Sequence, residues 1–366
     1  MKVGILTFHW ADNYGAVLQA YALSQRMKEL CNKEDDVEIV NYLCPTCSKI
    51  YRPFYYRKNG FASNTKSLLR CIKNFPDWIK KRSGFQSFRK RMPISKAYSR
   101  ESLFASESDY DIWITGSDQV WNTGIVENDY DVFDLSFVHS RKKCSYAASS
   151  GPINASKDDR QLQLVRDIEK LDHISVRELS TKKELASLIS KDIVHVVDPT
   201  FLLSKETWNA LIAEKRVYQN KYVFVYYIVY DSELMHIAIK VAKALSVDIV
   251  VCGKGRAFQG IAKQIADVSP EEFLNLIKNA EFVVASSFHA TAFSTIFEKQ
   301  FLALAPSYAS NRVNDLCQLF GLASRVVHDA ASVDRLLGKQ IDYETVNIRV
   351  KEEIAKSEDF LRGLLK

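Results

Sequence analysis

Short apolar runs alternate with amphipathic stretches through the chain, a pattern that predicts parallel strands joined by helices. In the first half the apolar runs at residues 3–8, 37–42, 111–115, 143–147, 173–176 and 193–197 predict strands. Between them, residues 16–30 predict a helix, with Leu18, Tyr21, Ala22, Gln25 and Leu30 following the 3.6-residue period in part. Asp198-Pro199-Thr200 interrupts regular structure, because proline biases the residue before it towards extended backbone. A second series follows, with strands expected at 222–228, 248–252, 282–285, 301–305 and 325–327 and helices at 233–245, 270–279 and 291–298. Ser269-Pro270-Glu271-Glu272 is a strong helix start: a serine cap, proline at the first position and acids in the first turn.

Two such series predict an α/β protein with two Rossmann-like domains facing a cleft. The boundaries expected are 1–203, 204–340 and a C-terminal helix over 341–366 that could pack back on the first domain. A length of 366 residues fits two cores better than one. Ligands of open α/β sheets bind beyond the carboxyl ends of the strands, so the strand-end loops are where chemistry is expected.

Composition changes this picture in a few places. The hydrophobic fraction of 47% and charged fraction of 26% are those of a folded protein. The longest apolar run, residues 222–230, is far short of the ~20 residues of a membrane-spanning helix. The start of the chain lacks the apolar core of a signal peptide, so a cytoplasmic protein is expected. Seven cysteines at irregular spacing agree with a reducing compartment rather than a disulfide framework. Cys44-Pro45-Thr46-Cys47 has the spacing of half a zinc site or of a redox pair. It has no matching second pair and no thioredoxin-like flanks, so neither use is expected, and Cys31 and Cys71 are the thiols that could join it. No metal and no nucleic-acid partner is expected.

The net charge of +6 is unevenly spread: residues 49–100 carry fifteen Lys or Arg against one acid, Asp77. Within this segment Trp78, Phe85, Phe88 and Met92 recur at helical spacing beside Lys80-Lys81-Arg82 and Arg89-Lys90-Arg91. A basic helical insertion is expected there. It either contacts an anionic membrane or lipid-linked acceptor, at the inner face of the membrane, or packs its aromatics on the domain and leaves the charge to solvent.

Candidate chemistry lies at strand ends. Ser286-Ser287-Phe288-His289 follows a buried strand and precedes a helix, so two hydroxyls, a histidine and free helix-start N–H groups meet in one turn, equipment for holding an anion and moving a proton. The loop after the first strand, with Asn13, Tyr14, Gly15 and Gln19, lacks both dinucleotide and nucleoside-triphosphate glycine spacings. Asn13 and Gln19 could read sugar hydroxyls there, or Asn13 could simply cap the helix. Ser117, Asp118, Gln119 and Trp121 combine hydroxyl, carboxylate, amide and indole in the manner of carbohydrate sites, with Asp118 either the base for an acceptor hydroxyl or a structural cap. Arg177 could grip a carboxylate or phosphate bidentately, or pair with Glu178. Lys254 and Arg256 flank glycines in a weaker candidate clamp.

Six segments occur in the order of the polysaccharide pyruvyl transferase family, which the chain resembles over roughly residues 1–330. They are Asn13-Tyr14-Gly15-Ala16-Val17-Leu18-Gln19-Ala20, Gly116-Ser117-Asp118-Gln119-Val120-Trp121, Ser145-Tyr146-Ala147-Ala148-Ser149, Ser175-Val176-Arg177-Glu178, Asp198-Pro199-Thr200 and Ser287-Phe288-His289. The resemblance implies a GT-B-like fold, phosphoenolpyruvate as donor substrate with no separate cofactor, and a hexose of a bacterial surface polysaccharide, such as an exopolysaccharide or capsule, or its lipid-linked precursor as acceptor. It implies that His289 and Arg177 bind the donor. Many members have arginine just before the Phe-His pair, where this chain has Ser286-Ser287, and glycine where it has Ala290. The first departure leaves Arg177, Lys254, Arg256 or Arg312 to balance the donor's charge. Two other classes fit the same pattern: a nucleotide-sugar glycosyltransferase, and a non-catalytic anion- or sugar-binding protein.

Overall fold

The structure, a computed structural model, describes residues 1–51, 61–153, 158–254, 256–305 and 310–366, with backbone alone at 50, 61–70, 256, 310 and 311. The chain divides into two compact units, Met1–Leu202 with Ile354–Lys366, and Leu203–Glu353.

The first unit is built on strands β1 (Lys2–Leu6), β2 (Asp36–Tyr42), β3 (Ile94–Tyr98), β4 (Ile112–Thr115) and β5 (Lys142–Ser145), in the order β3-β2-β1-β4-β5. All neighbours pair parallel. A short parallel pair, β6 (Ile174–Val176) and β7 (Ile193–His195), continues it through single bridges from Cys144 to His173 and Ala148 to Val176. The central strand β1 contains Gly4 because a Cβ there would lie 2.8 Å from the Tyr110 ring, which packs flat on the strand. The helix Tyr14–Leu30 buries most of its residues, so its polarity signal is faint. The last turns of the helix Tyr343–Leu364 pack on this unit: Val197 N–H donates to Ser357 Oγ at 2.9 Å, and Arg26 pairs with Glu358.

The second unit holds β8 (Tyr222–Tyr226), β9 (Asp248–Cys252), β10 (Lys263–Ile265), β11 (Phe282–Ala285), β12 (Phe301–Leu304) and β13 (Val326–Val327), ordered β10-β9-β8-β11-β12-β13 and parallel throughout. The continuous apolar runs of β8, β11 and β12 are what a sheet covered by helices on both faces requires. In each sheet the chain leaves its first strand to one side and returns on the other. The order therefore reverses between β1 and β4 in the first unit and between β8 and β11 in the second, the crevice where α/β sheets hold ligands. Both units are Rossmann-like layers, and the fold is α/β with all-parallel sheets.

Two expectations are corrected, and one of two alternatives is favoured. The basic segment is not wholly a helical insertion: it supplies the helix Phe61–Arg89 but also β3, the edge strand of the first sheet. Phe85, Phe88 and Met92 are buried in the unit's core, each contributing about 1.5–3 kcal/mol, so that apolar face is committed to packing rather than to a lipid surface. Residues 52–60 of the segment lie outside the described residues. Finally, Cys44 and Cys47 are joined as a disulfide, while the other five cysteines are free. Among the described residues no helix is long and apolar enough to cross a membrane, and no cluster of three or more His, Cys, Asp or Glu side chains could hold a metal.

Candidate functional site

The site residues expected from sequence fall into two groups, one at the strand-order reversal of each sheet.

In the first unit the loops after β1 and β4 are tied together from below. Gln19 Nε2 donates to Thr7 Oγ1 at 2.8 Å and to the Ala16 carbonyl at 3.0 Å, and Thr7 Oγ1 donates to the Ser117 carbonyl at 2.9 Å. Gly116 allows this approach: a Cβ there would stand 3.1 Å from Thr7 Cβ. Gln19 is fully buried, so its amide braces the loops instead of reading a sugar. Trp121 is likewise inside, its indole N–H given to the Phe133 carbonyl at 3.1 Å, and Tyr14 packs its ring on Phe85. Gly15 is buried within the first turn of its helix. Asn13 Oδ1 caps that helix, accepting from Ala16 N–H at 3.2 Å, and keeps partial exposure.

Above this floor stand the partly exposed Asp118 and Gln119. Asp118 adopts φ 77° and accepts from Gln119 N–H at 2.9 Å, and Ala147 on the neighbouring strand end has φ 53°. A left-handed alanine costs about 1–2 kcal/mol, a strain that the surrounding bridges hold in place. Asp118 and Ala148 bridge the two loops, and Ser149 N–H donates to the Asp118 carbonyl at 3.0 Å. The result is a carboxylate held at fixed height on the rim of the sheet.

Arg177 lies under this rim. It is 4% exposed, with Nη1 2.9 Å from Asp198 Oδ2 and Nε 2.8 Å from Glu178 Oε1. Ser117 Oγ donates to the same Asp198 oxygen at 3.0 Å, and Thr200 donates to the other through N–H and Oγ1. Burial works against the guanidinium charge, but Glu178, Asp198 and Asp118 outweigh it and hold Arg177 above its ordinary pKa. Two of its three nitrogens are thus given to buried carboxylates. Ser117, fully buried, belongs to the same internal network.

Two features of this unit escaped the sequence. The loop after β1 is strapped by Arg89, which donates to the Trp10 carbonyl at 2.6 Å, the His9 carbonyl at 3.0 Å and Asp12 Oδ1 at 2.7 Å. Tyr51 packs its ring edge against Trp10 with its phenol beside Asn13. The alternation of arginines with aromatics in residues 78–92 was the available signal for the first. Tyr51 had none. His9 is buried by the same strap, its ring between the Thr7 carbonyl and Asn41, and burial lowers its pKa to about 4.

In the second unit β11 ends in Ser286, whose N–H bonds the Tyr226 carbonyl at 3.1 Å across the strand-order reversal. Ser287 is the extended cap residue of the helix Phe288–Ile296, without a side-chain capping bond. The helix thus starts three residues earlier than expected, and Phe288, His289 and Ala290 are in its first turn, where amide N–H groups have no intrahelical acceptor. Thr291 closes the turn, donating through N–H and Oγ1 to the Ser287 carbonyl. Ser286 Oγ is buried and has no hydrogen-bond partner among the described residues. The His289 ring stands edge-on to Phe288, centroids 5.1 Å apart, and is 8% exposed. Lys254 is exposed beside Gly253 at φ 136°, and Arg312 is half-buried near the start of the helix Ser310–Leu319. The side chain of Arg256 and all of Gly255 lie outside the described residues.

Taken together, the second unit offers hydroxyls, an imidazole and the positive end of a helix at one point, while the first offers a carboxylate and amides over a braced floor. Comparison with known proteins places both in context. A family model described as polysaccharide pyruvyl transferase matches residues 13–308. No curated protein matches the chain. Among solved structures the chain is similar to the UDP-GlcNAc 2-epimerase of Methanocaldococcus jannaschii in complex with UDP-GlcNAc and UDP (11% identity, TM-score 0.51, covering 96% of this chain and 99% of that one). It is also similar to the Neisseria meningitidis UDP-GlcNAc 2-epimerase bound to UDP-GlcNAc (9%, 0.51, 98% and 100%) and to an S. aureus MnaA–UDP complex (10%, 0.51, 96% and 90%). At such identities the likeness is one of fold, the GT-B-like class of two Rossmann-like domains.

Proposed function

We propose, from the premise that this chain belongs to the polysaccharide pyruvyl transferase family and is therefore a transferase, that it moves the pyruvyl group of phosphoenolpyruvate onto a hexose of a surface glycan or its lipid-linked precursor. The observation that carries the reading is the turn from Ser286 to His289, which sets a buried hydroxyl and an imidazole at the start of a helix. Phosphoenolpyruvate has a carboxylate and a phosphate, and such a helix start holds an anion through N–H groups and the helix dipole.

In the proposed reaction C3 of the enol takes a proton, and C2 accepts one sugar hydroxyl. Phosphate leaves with its bonding pair, and a second sugar hydroxyl closes the ketal. The proton gained at C3 is balanced by the two lost from the hydroxyls, the other leaving with phosphate. His289 is assigned to protonation or to holding the phosphate, with Ser286 and Ser287 on the anion and Lys254, Arg256 and Arg312 supplying charge. Asp118 is assigned to receive the proton of the acceptor hydroxyl, and Asn13 and Gln119 to orient the sugar. Arg177 is assigned to holding the Ser117–Asp118 loop in place, given its two carboxylate partners.

His289→Ala separates the two roles of the imidazole. Loss of kcat of about 100-fold or more at unchanged KM for phosphoenolpyruvate supports proton transfer, and a raised KM with kcat kept supports phosphate holding. Unchanged values of both contradict the assignment. A nucleotide-sugar transferase is the second reading, favoured by the epimerases' UDP ligands. It predicts UDP binding and no phosphate release from phosphoenolpyruvate.

A further inference from the structure

We infer that the Cys44–Cys47 disulfide is a redox latch that seats the Tyr51 side chain in the sugar-binding half-site of the first unit. The inference rests on the proposed reading of that half-site as the acceptor's.

Cys44 follows two residues after β2, and Cys47 opens the single turn Cys47–Tyr51. The crosslink is supported by Cys47 N–H on Cys44 Sγ at 3.3 Å and by Ser48 N–H on the Cys44 carbonyl at 3.0 Å. Tyr51 therefore stands about one turn from a covalently fixed point. Its ring meets Trp10 edge-on at 5.9 Å, and its carbonyl accepts from the Trp78 indole at 3.2 Å. Its phenol reaches the Asn13 side chain and sits in the field of Asp118 and Asp12. Tyr51 thus joins the same Asn13 and Asp118 assigned to the sugar, and an aromatic face with a hydroxyl at its tip is equipment for binding a sugar.

The reduced state has a place prepared as well. Cys44 Sγ lies 3.2 Å from Asp129 Oδ2, a buried carboxylate whose other oxygen accepts from Tyr42 Oη at 2.8 Å, so a thiol at Cys44 would have an acceptor. Leu43 and Pro45 are exposed, while Cys44 is buried and Cys47 is 7% exposed, so Cys47 is the half of the bond nearer the surface. A reductant of the dithiol class would open the bond by ordinary exchange. Its thiolate attacks one sulfur to form a mixed disulfide, and its second thiol then releases the protein. Two electrons pass to Cys44 and Cys47, and the reductant leaves as a disulfide. Opening returns backbone freedom to the turn, and the side chain that packs on Trp10 loses its fixed seat.

The test compares protein kept oxidised with protein reduced by dithiothreitol. Alkylation under denaturing conditions should modify five cysteines before reduction and seven after. Reduction should raise the KM for the sugar acceptor about five-fold, the loss of one hydrogen bond of about 1 kcal/mol, and leave the KM for phosphoenolpyruvate unmoved. Cys47→Ser should show the raised value in both conditions, and Tyr51→Phe should raise it and abolish the response. Tryptophan emission should shift on reduction, with the shift lost in Trp10→Phe. Seven alkylated cysteines in the oxidised protein overturn the inference, as do two new thiols with acceptor KM and emission unchanged. No phosphate release in either state, with the emission shift present, leaves the latch standing and sinks the transferase reading instead.

Discussion

Replacing Arg177 by methionine distinguishes a cation that holds the fold from one that holds a ligand. The substitution keeps much of the side-chain volume and removes the charge, leaving Asp198 and Glu178 buried without the partner that now lies 2.9 Å and 2.8 Å away. Breaking a buried pair by removing one member costs about 3–5 kcal/mol, because the orphaned carboxylate keeps its desolvation penalty and loses its attraction. Against a typical total of ~5–15 kcal/mol, that is a large part of the stability of the unit. Urea denaturation followed by the emission of Trp113 and Trp121, both buried in the first unit, reads the change as a lower midpoint. Asp198→Asn alone should also destabilise, and the double variant should lose less than the sum, because the two side chains share one interaction. An Arg177→Met protein with its denaturation midpoint unmoved and its KM for phosphoenolpyruvate raised would refute this reasoning and return Arg177 to the donor.

Two further outcomes follow from the first unit. Asp134 is fully buried, and burial first, then Asp167, raises its pKa to about 8. The fold therefore favours the protonated carboxyl, and stability should fall as pH rises from the ordinary carboxylate range to about 8, because over that window the unfolded chain has already released the proton. Asp134→Asn should flatten that slope in denaturation curves taken across the window, and an unchanged slope would discount the shift. Arg89→Met removes three donated bonds from the loop after β1. It should raise acceptor KM several-fold and leave phosphoenolpyruvate KM alone, as steady-state kinetics would show.

How much of this was legible in the sequence depended on how far apart the interacting residues lie. Strands β8, β9, β11 and β12 read directly, because a parallel sheet buried on both faces needs unbroken apolar runs. Strand β3 did not: Ile-Ser-Lys-Ala-Tyr is a half-exposed edge inside a cationic segment, and its pairing with β2 is set by contacts more than fifty residues away. The turn at Ser286–His289 was visible because its four residues are consecutive and the geometry of one strand end and one helix start assembles them. Gln19, Ser117 and Trp121 looked like ligand groups because they are polar or aromatic at strand ends, yet their partners Thr7, Asp198 and Phe133 lie within the fold. Arg177 and Asp198, Asp12 and Arg89, and Tyr51 and Asn13 are pairs that only the topology brings together.

Pyruvyl transfer itself is read by incubating the purified protein with phosphoenolpyruvate and a panel of lipid-linked hexoses, following phosphate release together with product mass. One phosphate should be released per acceptor gaining a cyclic pyruvyl ketal, with both signals lost when phosphoenolpyruvate is replaced by a UDP-sugar. Glycosyl transfer from the UDP-sugar, with phosphoenolpyruvate left intact, would contradict it.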